Sequence, residues 1–167
     1  MKKIPLSNGK FTMVDDENYE LLRQFKWHPQ ICGKYVYAYR RHKINNKKTT
    51  ISMHRSICFP PKNMEIDHID GNGLNNIKKN LRICTTSLNQ ANSKKRKNTS
   101  STYKGVSWHK ILKKWQTRIR LNGKEIHAGY FQNEIDAAKA YDLTASNFFG
   151  DFAKLNFEKK RIKNGDE

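Results

Sequence analysis

The stretch Glu65-Ile66-Asp67-His68-Ile69-Asp70-Gly71-Asn72-Gly73-Leu74-Asn75-Asn76, continued through Asn80-Leu81-Arg82 to Ser87-Leu88-Asn89-Gln90-Ala91-Asn92, decides the fold of the first half of the chain. A short apolar run ends in Asp67-His68, glycine and asparagine punctuate a loop, Leu81-Arg82-Ile83-Cys84 makes a second short run, and a Thr/Ser-initiated polar segment follows. These read as strand, loop, strand and helix, a ββα unit. In such a unit the end of the first strand can face the first turns of the helix, so Asp67, His68 and Asn89 are expected to meet around one small site.

The chemistry these side chains suit is hydrolysis of a phosphodiester. A hard divalent ion, Mg²⁺ or Mn²⁺, takes oxygen ligands and keeps several waters. One carboxylate (Asp67) and one amide oxygen (Asn89) then suffice as protein ligands if a DNA phosphate supplies the rest. His68 titrates near neutrality and is the candidate base for the attacking water. The plainer reading is a turn marked by Asp-Gly and Asn-Gly beside a surface Asp-His pair. A calcium loop at Asp70-Gly71-Asn72-Gly73 is excluded, because the alternating oxygen ligands and terminal Glu of an EF-hand are missing.

Met53-His54-Arg55, Ile66 to Asn72, Asn76, Asn80-Leu81-Arg82 and Asn89-Gln90-Ala91-Asn92 together resemble the HNH endonuclease motif of phage and intron homing endonucleases, in its His-Asn-Asn form. The resemblance spans about Met53 to Lys94, and Asn80 and Asn89 follow Asp67 by 13 and 22 residues. It implies that Asp67 and Asn89 bind the metal, that His68 is the general base, and that the catalytic Asn80 braces the loop carrying His68. The last family position is often His and is Asn89 here, which implies weaker metal affinity. His54 is a second candidate for active-site support, with a purely structural role as its alternative. Arg82 either holds a phosphate or pairs with Asp70 or Glu65.

With 33 Lys+Arg against 15 Asp+Glu in 167 residues, the formal charge is +18. Such a field attracts polyanions, and double-stranded DNA is the expected partner. No apolar run reaches the length of a membrane span, no amphipathic anchor is evident, and the N-terminus lacks a signal-peptide core. A cytoplasmic protein of the host cell, not secreted and without an obligate protein partner, is therefore expected. Cys32, Cys58 and Cys84 are widely spaced and form no Cys-x-x-Cys pair, so no structural zinc is expected and all three read as mostly buried thiols.

Residues 1–52 read as a β-rich extension: a strand from Lys10 to Val14, a short helix capped by Asp15 or Asp16 and running to Phe25, and strands at Tyr35–Tyr39 and Thr49–Met53. Tyr35, Tyr37 and Tyr39 share one strand face, as sheet core or as a base-stacking platform. Arg40 to Lys43 and Asn45 to Lys48 read as a basic hairpin loop, placed on phosphate or simply solvated. Residues 53–93 hold the nuclease unit, with a helix from His54 ended by Pro60-Pro61. Residues 94–102 contain no apolar side chain and read as a basic linker, in which Lys94, Lys95, Arg96 and Lys97 cross a DNA backbone or form a localisation patch. A basic tail occupies 158–167.

Residues 103–157 form a second module. Trp115, Thr117, Ile119 and Leu121 alternate with Gln116, Arg118 and Arg120, Asn122-Gly123 marks a two-residue turn, and Ile126, Ala128 and Tyr130 resume the alternation. Such a turn sets Arg120 opposite Glu125, Arg118 opposite His127, Gln116 opposite Gly129 and Trp115 opposite Tyr130. A helix capped by Asn133 covers the apolar face and leaves Gln116, Arg118 and Arg120 outward, either to read bases or as a charged solvent face with an Arg120–Glu125 pair. Tyr103 to Val106, Arg118-Ile119-Arg120, Gly129-Tyr130-Phe131, Ala137 to Asp142 and Leu155-Asn156-Phe157 are similar to the AP2 DNA-binding domain. That resemblance implies DNA-facing positions at Lys104, Ser107, His109, Arg118 and Arg120.

The expected fold is thus α+β: a ββα-metal nuclease unit with its N-terminal extension, plus an AP2-like three-stranded antiparallel sheet packed on one helix. The expected function is site-specific DNA cleavage of the phage or mobile-element homing type. The alternative is a non-catalytic DNA-binding regulator with a degenerate nuclease unit.

Overall fold

A computed structural model describes residues 1–44 and 46–157, in two units, Met1–Asn89 and Gln90–Glu167. The basic tail at 158–167 and Asn45 of the hairpin lie outside the described residues.

In the first unit β1 (Lys2–Pro5) pairs antiparallel with β2 (Phe11–Val14), and α1 (Asp16–Leu22) follows. Asp15 stands at its N-terminal cap position, but its carboxylate makes no cap bond and instead accepts from the Lys78 amide (2.6 Å). The strands β3 (His28–Cys32), β4 (Tyr35–Ile44) and β5 (Lys47–Ser52) form an antiparallel sheet in that order. Arg40 to Lys43 therefore lie within β4 and Lys47-Lys48 within β5, so the cations read as a hairpin loop are strand residues. Helix α2 (Met53–Cys58) leads to β6 (Glu65–His68), which pairs with β7 (Leu81–Cys84) before α3 (Thr86–Ala91) begins. Strands β1 and β3, absent from the sequence reading, carry few apolar residues and are recruited by pairing partners.

One hydrophobic core joins Ile4, Leu6, Val14, Leu22, Trp27 and Ala38 to Met53, Ile57, Ile66 and Leu81. Each Ile, Leu, Val or Met side chain among them contributes about 1.5–3 kcal/mol relative to exposure. A two-stranded sheet and two helices of six residues each have too little apolar surface to stand alone. Residues 1–52 supply the remainder of this shared core. The Trp27 indole N–H also satisfies the carbonyl of Leu22 (2.8 Å). Cys32, expected to be buried, is exposed on the sheet-edge strand β3, whereas Cys84 is buried and its thiol is pushed up to about 11, mainly by burial.

In the second unit β8 (Val106–His109), β9 (Lys114–Leu121) and β10 (Lys124–Phe131) form an antiparallel sheet with β9 in the centre, packed by α4 (Glu134–Phe149). Asn122 and Gly123 both have positive φ, as the tight turn requires. The Asn133 side chain accepts from the Ile135 amide (2.8 Å) and caps α4. Beneath the sheet, Val106, Ala137 and Ala138 pack with Tyr103, Trp115 and Phe131, and Thr117 donates to the carbonyl of Ala137 (2.7 Å). Gly105 lies so close to Tyr141 that an added Cβ would sit 2.0 Å from the ring, so glycine is required there. Asn156 closes the unit: its side chain accepts from the Lys104 amide (2.6 Å), and its own amide donates to Asp142 (2.8 Å).

The expected linker 94–102 belongs to this unit over its second half, because its hydroxyls find backbone and acid partners. The Ser101 hydroxyl donates to Glu134 (2.7 Å), and the Ser100 hydroxyl accepts from the Trp108 amide (2.8 Å). Among the described residues no helix is long and apolar enough to cross a membrane.

Candidate active site and nucleic-acid face

Strand β6 carries Asp67 and His68 as its last residues, 4% and 5% exposed. Successive strand side chains leave on opposite faces. Asp67 therefore shares a face with Glu65, while His68 turns toward the opposite side.

On the Asp67 face, register places Arg82 directly across the ladder. The Arg82 guanidinium donates from Nε (2.8 Å) and Nη2 (2.7 Å) to Asp67 Oδ2. Sequence reasoning offered Asp70 or Glu65 as its partner; the β6–β7 register favours Asp67 by setting it directly opposite Arg82. Glu65 instead reaches α3, where Oε1 accepts from the Thr86 hydroxyl (2.8 Å) and Oε2 from Asn89 Nδ2 (2.5 Å). Asn89 is thereby held over the strand face that carries Asp67, with its amide nitrogen engaged by the carboxylate.

His68 has a different environment. Its Nε2 lies 3.2 Å from Asn76 Oδ1, and Asn76 Nδ2 donates to the Thr12 hydroxyl (2.7 Å). The rings of Tyr37 and His54 pack against it with centroids at 5.7 and 5.2 Å. Gly73 allows this packing, since a Cβ there would lie 2.4 Å from the Tyr37 ring. Burial lowers the His68 pKa, partly opposed by the Asn76 hydrogen bond and by Asp70 and Asp67, so the imidazole is neutral at neutral pH. His54 is lowered to about 3, first by burial and then by the charges of His68 and Arg55, and its Nε2 meets the Ser52 hydroxyl at 3.0 Å. A group so depressed stays neutral and takes no proton at working pH.

The loop after His68 is tied down by its own amides. Asn80 Oδ1 accepts from the Asp70 amide (3.1 Å), while its Nδ2 donates to Asp70 Oδ1 (3.0 Å) and to the carbonyl of Asn75 (2.8 Å). Asp70 also accepts from the Asn72 amide (2.8 Å) and Asn75 Nδ2 (2.7 Å). Burial opposes its ionisation, but the bonds from Asn75, Asn72 and Asn80 hold its pKa below the ordinary value. Asp70 thus organises the loop.

No cluster of three or more His, Cys, Asp or Glu side chains able to hold a metal occurs among the described residues. The available donors are a carboxylate and amide oxygens. That set fits a hard divalent ion which completes its shell with water and phosphate, and does not fit a zinc site.

On the sheet of the second unit, the register follows expectation from Lys124–Leu121 to His127–Arg118 and then shifts by one residue. A bulge at Ala128, followed by Gly129 at φ 129°, sets Gly129 opposite Thr117 and Tyr130 opposite Gln116. The bulge moves Tyr130 from the helix-facing side to the outer side. There its ring packs with those of His109 (5.4 Å) and His127 (4.3 Å), and Gln116 is only 6% exposed. Gln116, opposite Tyr130, shares that outer face as the alternation requires but is covered there rather than open to solvent.

Arg118 pairs diagonally with Glu125 (3.0 Å), whereas the solvent-face alternative gives that partner to Arg120. Arg120 is exposed, Ser107 is half-buried beside Gln116, and Lys104 Nζ donates to the carbonyl of Ala91. A cleft of about 560 Å³ is lined by Lys94, Lys95, Arg96, Lys104, Arg118 and Arg120 among others; Lys97 is exposed in the same segment. Sequence reasoning missed Thr12, Tyr37 and Glu65 as members of these sites. Only the same-face spacing of Glu65 and Asp67 signalled any of them.

The HNH endonuclease family profile matches residues 59–91. An HNH endonuclease of Acanthamoeba polyphaga mimivirus is 31% identical over 150 residues, 89% of this chain and 75% of that protein. Protein 3.8 of Escherichia phage T7 is 42% identical over 95 residues, 57% of this chain and 78% of its own. An AP2-like ethylene-responsive transcription factor of Arabidopsis thaliana, AIL7, is 44% identical over 64 residues, 37% of this chain but 13% of that protein. No solved structure matches the chain.

Proposed function

Because the chain belongs to the HNH endonuclease family, we propose that its first unit hydrolyses phosphodiester bonds of double-stranded DNA with one divalent metal, and that its second unit selects the site. The observation that carries this reading is the buried pair Asp67-His68 at the end of β6, each residue held by its own partners. Since the two side chains leave on opposite faces, a phosphate within reach of both lies at the strand end, where His68 is the last residue.

Asp67 and Asn89 would hold Mg²⁺ or Mn²⁺, which stabilises charge on the phosphate and on the departing 3′ oxygen. His68, kept neutral by burial, takes the proton of the attacking water. Asn80 keeps the loop after His68 in place through its bonds to Asp70 and Asn75. The cations of 94–97 supply attraction that is independent of sequence, and Arg118 and Arg120 supply base readout. The similarity of the second unit to plant transcription factors supports this division of roles. Viral relatives support a phage or mobile-element setting, and with it a homing type of enzyme.

Incubation with supercoiled plasmid and Mg²⁺ tests the proposal. Nicked or linear product is expected, lost in EDTA and reduced about 10²-fold or more in His68→Ala. Asp67→Ala raises the Mg²⁺ requirement more than Asn89→Ala, because a carboxylate carries charge and an amide oxygen only a dipole. Binding without cutting under every divalent ion tried would replace the nuclease reading with that of a DNA-binding regulator.

A further inference from the structure

Resting on the reading of His68 as the general base, we infer that Thr12 and Asn76 are positioning residues that fix the His68 imidazole as its Nε2–H tautomer, so that Nδ1 carries the lone pair for the proton of water. The direction of each hydrogen bond follows from one atom that has no proton to give. The carbonyl oxygen of Leu74 lies 2.8 Å from the Thr12 hydroxyl, and a carbonyl can only accept, so Thr12 is the donor. Met53 Sδ, at 3.7 Å, is a weaker and more distant acceptor for the same hydrogen.

With its single proton directed at Leu74, Thr12 Oγ1 faces Asn76 as an acceptor at 2.7 Å. The nitrogen side of the Asn76 amide must therefore point at Thr12, which turns Oδ1 toward His68 Nε2 at 3.2 Å. An amide oxygen only accepts, so Nε2 carries the hydrogen. Turning the amide round would draw the Thr12 proton to Asn76 and leave two oxygens, Thr12 Oγ1 and Leu74 O, in contact at 2.8 Å with no proton between them. Thr12 and Asn76 are each 0% exposed, so solvent does not relieve that conflict.

Backbone pairing keeps the chain of bonds in register. The Met13 amide donates to Leu74 O (2.8 Å), and the Asn76 amide donates to Met13 O (2.8 Å), which clamps Thr12 beside Asn76. The Tyr37 and His54 rings then restrict rotation of the His68 ring. The N-terminal hairpin β1–β2 thereby acts on the candidate base through the Thr12–Asn76 contact, which spans 64 residues of sequence.

The test uses full-length protein labelled with ¹⁵N-histidine, in metal-free, mildly alkaline buffer, with His68 assigned by loss of its signals in His68→Gln. In the wild type, Nε2 is expected at the shift of a protonated ring nitrogen and Nδ1 at that of an unprotonated one. Thr12→Val, which keeps shape and removes the hydroxyl, should give averaged shifts from two tautomers. It should also lower kcat on plasmid by about 10-fold or more at unchanged KM, within the factor a general base supplies. Thr12→Ser should restore both.

A hydrogen on Nδ1 in the wild type overturns the inference and needs no variant to fold. An unchanged His68 spectrum in Thr12→Val overturns it as well. If the spectra behave as expected while His68→Ala cuts as fast as wild type, the tautomer assignment stands and the reading of His68 as the base fails.

Discussion

The two units place their polar side chains in opposite ways. In the first, Asp67, His68, Asn76 and Asn80 are buried and bonded to specific partners, whereas in the second Arg120, Lys94 and Arg96 are exposed and the sheet's polar interior is little more than Gln116 and Thr117. Burying a polar group is costly unless every bond is made, so a site built that way is rigid and fixes proton positions. Exposed cations define no single geometry but create a field that attracts a polyanion. The first arrangement suits chemistry and the second suits recognition. Substitutions should therefore have large effects in the first unit and graded ones in the second.

The largest effect on stability is expected from Arg82→Ala. It leaves Asp67 buried without its guanidinium, and breaking such a pair costs about 3–5 kcal/mol when both partners are buried. Arg82 is 17% exposed at the side chain, which places the expected loss near the lower end, about 3 kcal/mol by urea unfolding. Adding Asp67→Asn should recover part of the loss, since no charge is then stranded. If Arg82→Ala unfolds at the wild-type midpoint, the pair does not neutralise a buried carboxylate and the contrast between the units weakens.

A smaller effect separates neutral from charged histidine. His54 has its pKa lowered to about 3, mainly by burial and then by His68 and Arg55; Tyr37 and Ser52 also face it. In the unfolded chain its pKa is about 6.5, so as pH falls below that value the unfolded state takes up a proton that the folded state refuses. Folding stability is lost as pH drops from about 6.5 toward 3, and nothing is lost above 6.5. Between pH 7 and pH 5 one such group accounts for about 2 kcal/mol. His54→Gln should flatten the dependence of urea midpoints on pH across that interval. An unchanged slope would mean that His54 takes up its proton over the same pH range in the folded and unfolded states.

What the sequence made legible follows the range of the forces involved. Strand β6, its loop, β7 and α3 were readable because short apolar runs and Gly/Asn punctuation are local signals, and the Asn122-Gly123 turn gave the register correctly as far as Arg118–His127. The bulge at Ala128 was not readable, because alternation continues through it in the letters while the backbone inserts one residue. Tyr130 was consequently assigned to the helix side and Gln116 to solvent. Arg82 was recognised as a cation needing a partner, yet choosing Asp67 required the β6–β7 register, which the intervening loop does not dictate. The Thr12–Asn76–His68 chain depends on β2 reaching the loop through Met13, a contact without local signature. The requirement for Gly73 against Tyr37 is equally a property of the packed structure.

The smallest effects test the second unit, where two arginines on one strand differ in their neighbours. Arg118 donates to Glu125 in a pair exposed by 38% and 48%, while Arg120, opposite Glu125 in register, makes no ion pair among the described residues. If both read guanine, Arg120→Ala should cost about 1–3 kcal/mol of specific binding and relax preference at one base position. Arg118→Ala should cost less, because binding through Arg118 first requires release from Glu125. Exposed pairs contribute about 0–1 kcal/mol. Glu125→Gln should accordingly tighten binding to the preferred site by no more than about 1 kcal/mol, and most at low salt. The gain should vanish in the Arg118→Ala background, since without Arg118 the released cation does not exist. Binding of the four variants to a randomised site library at two salt concentrations measures all of these terms. A gain from Glu125→Gln that survives removal of Arg118 would show that Glu125 acts by general repulsion of phosphate, and the strand would then contribute field without readout.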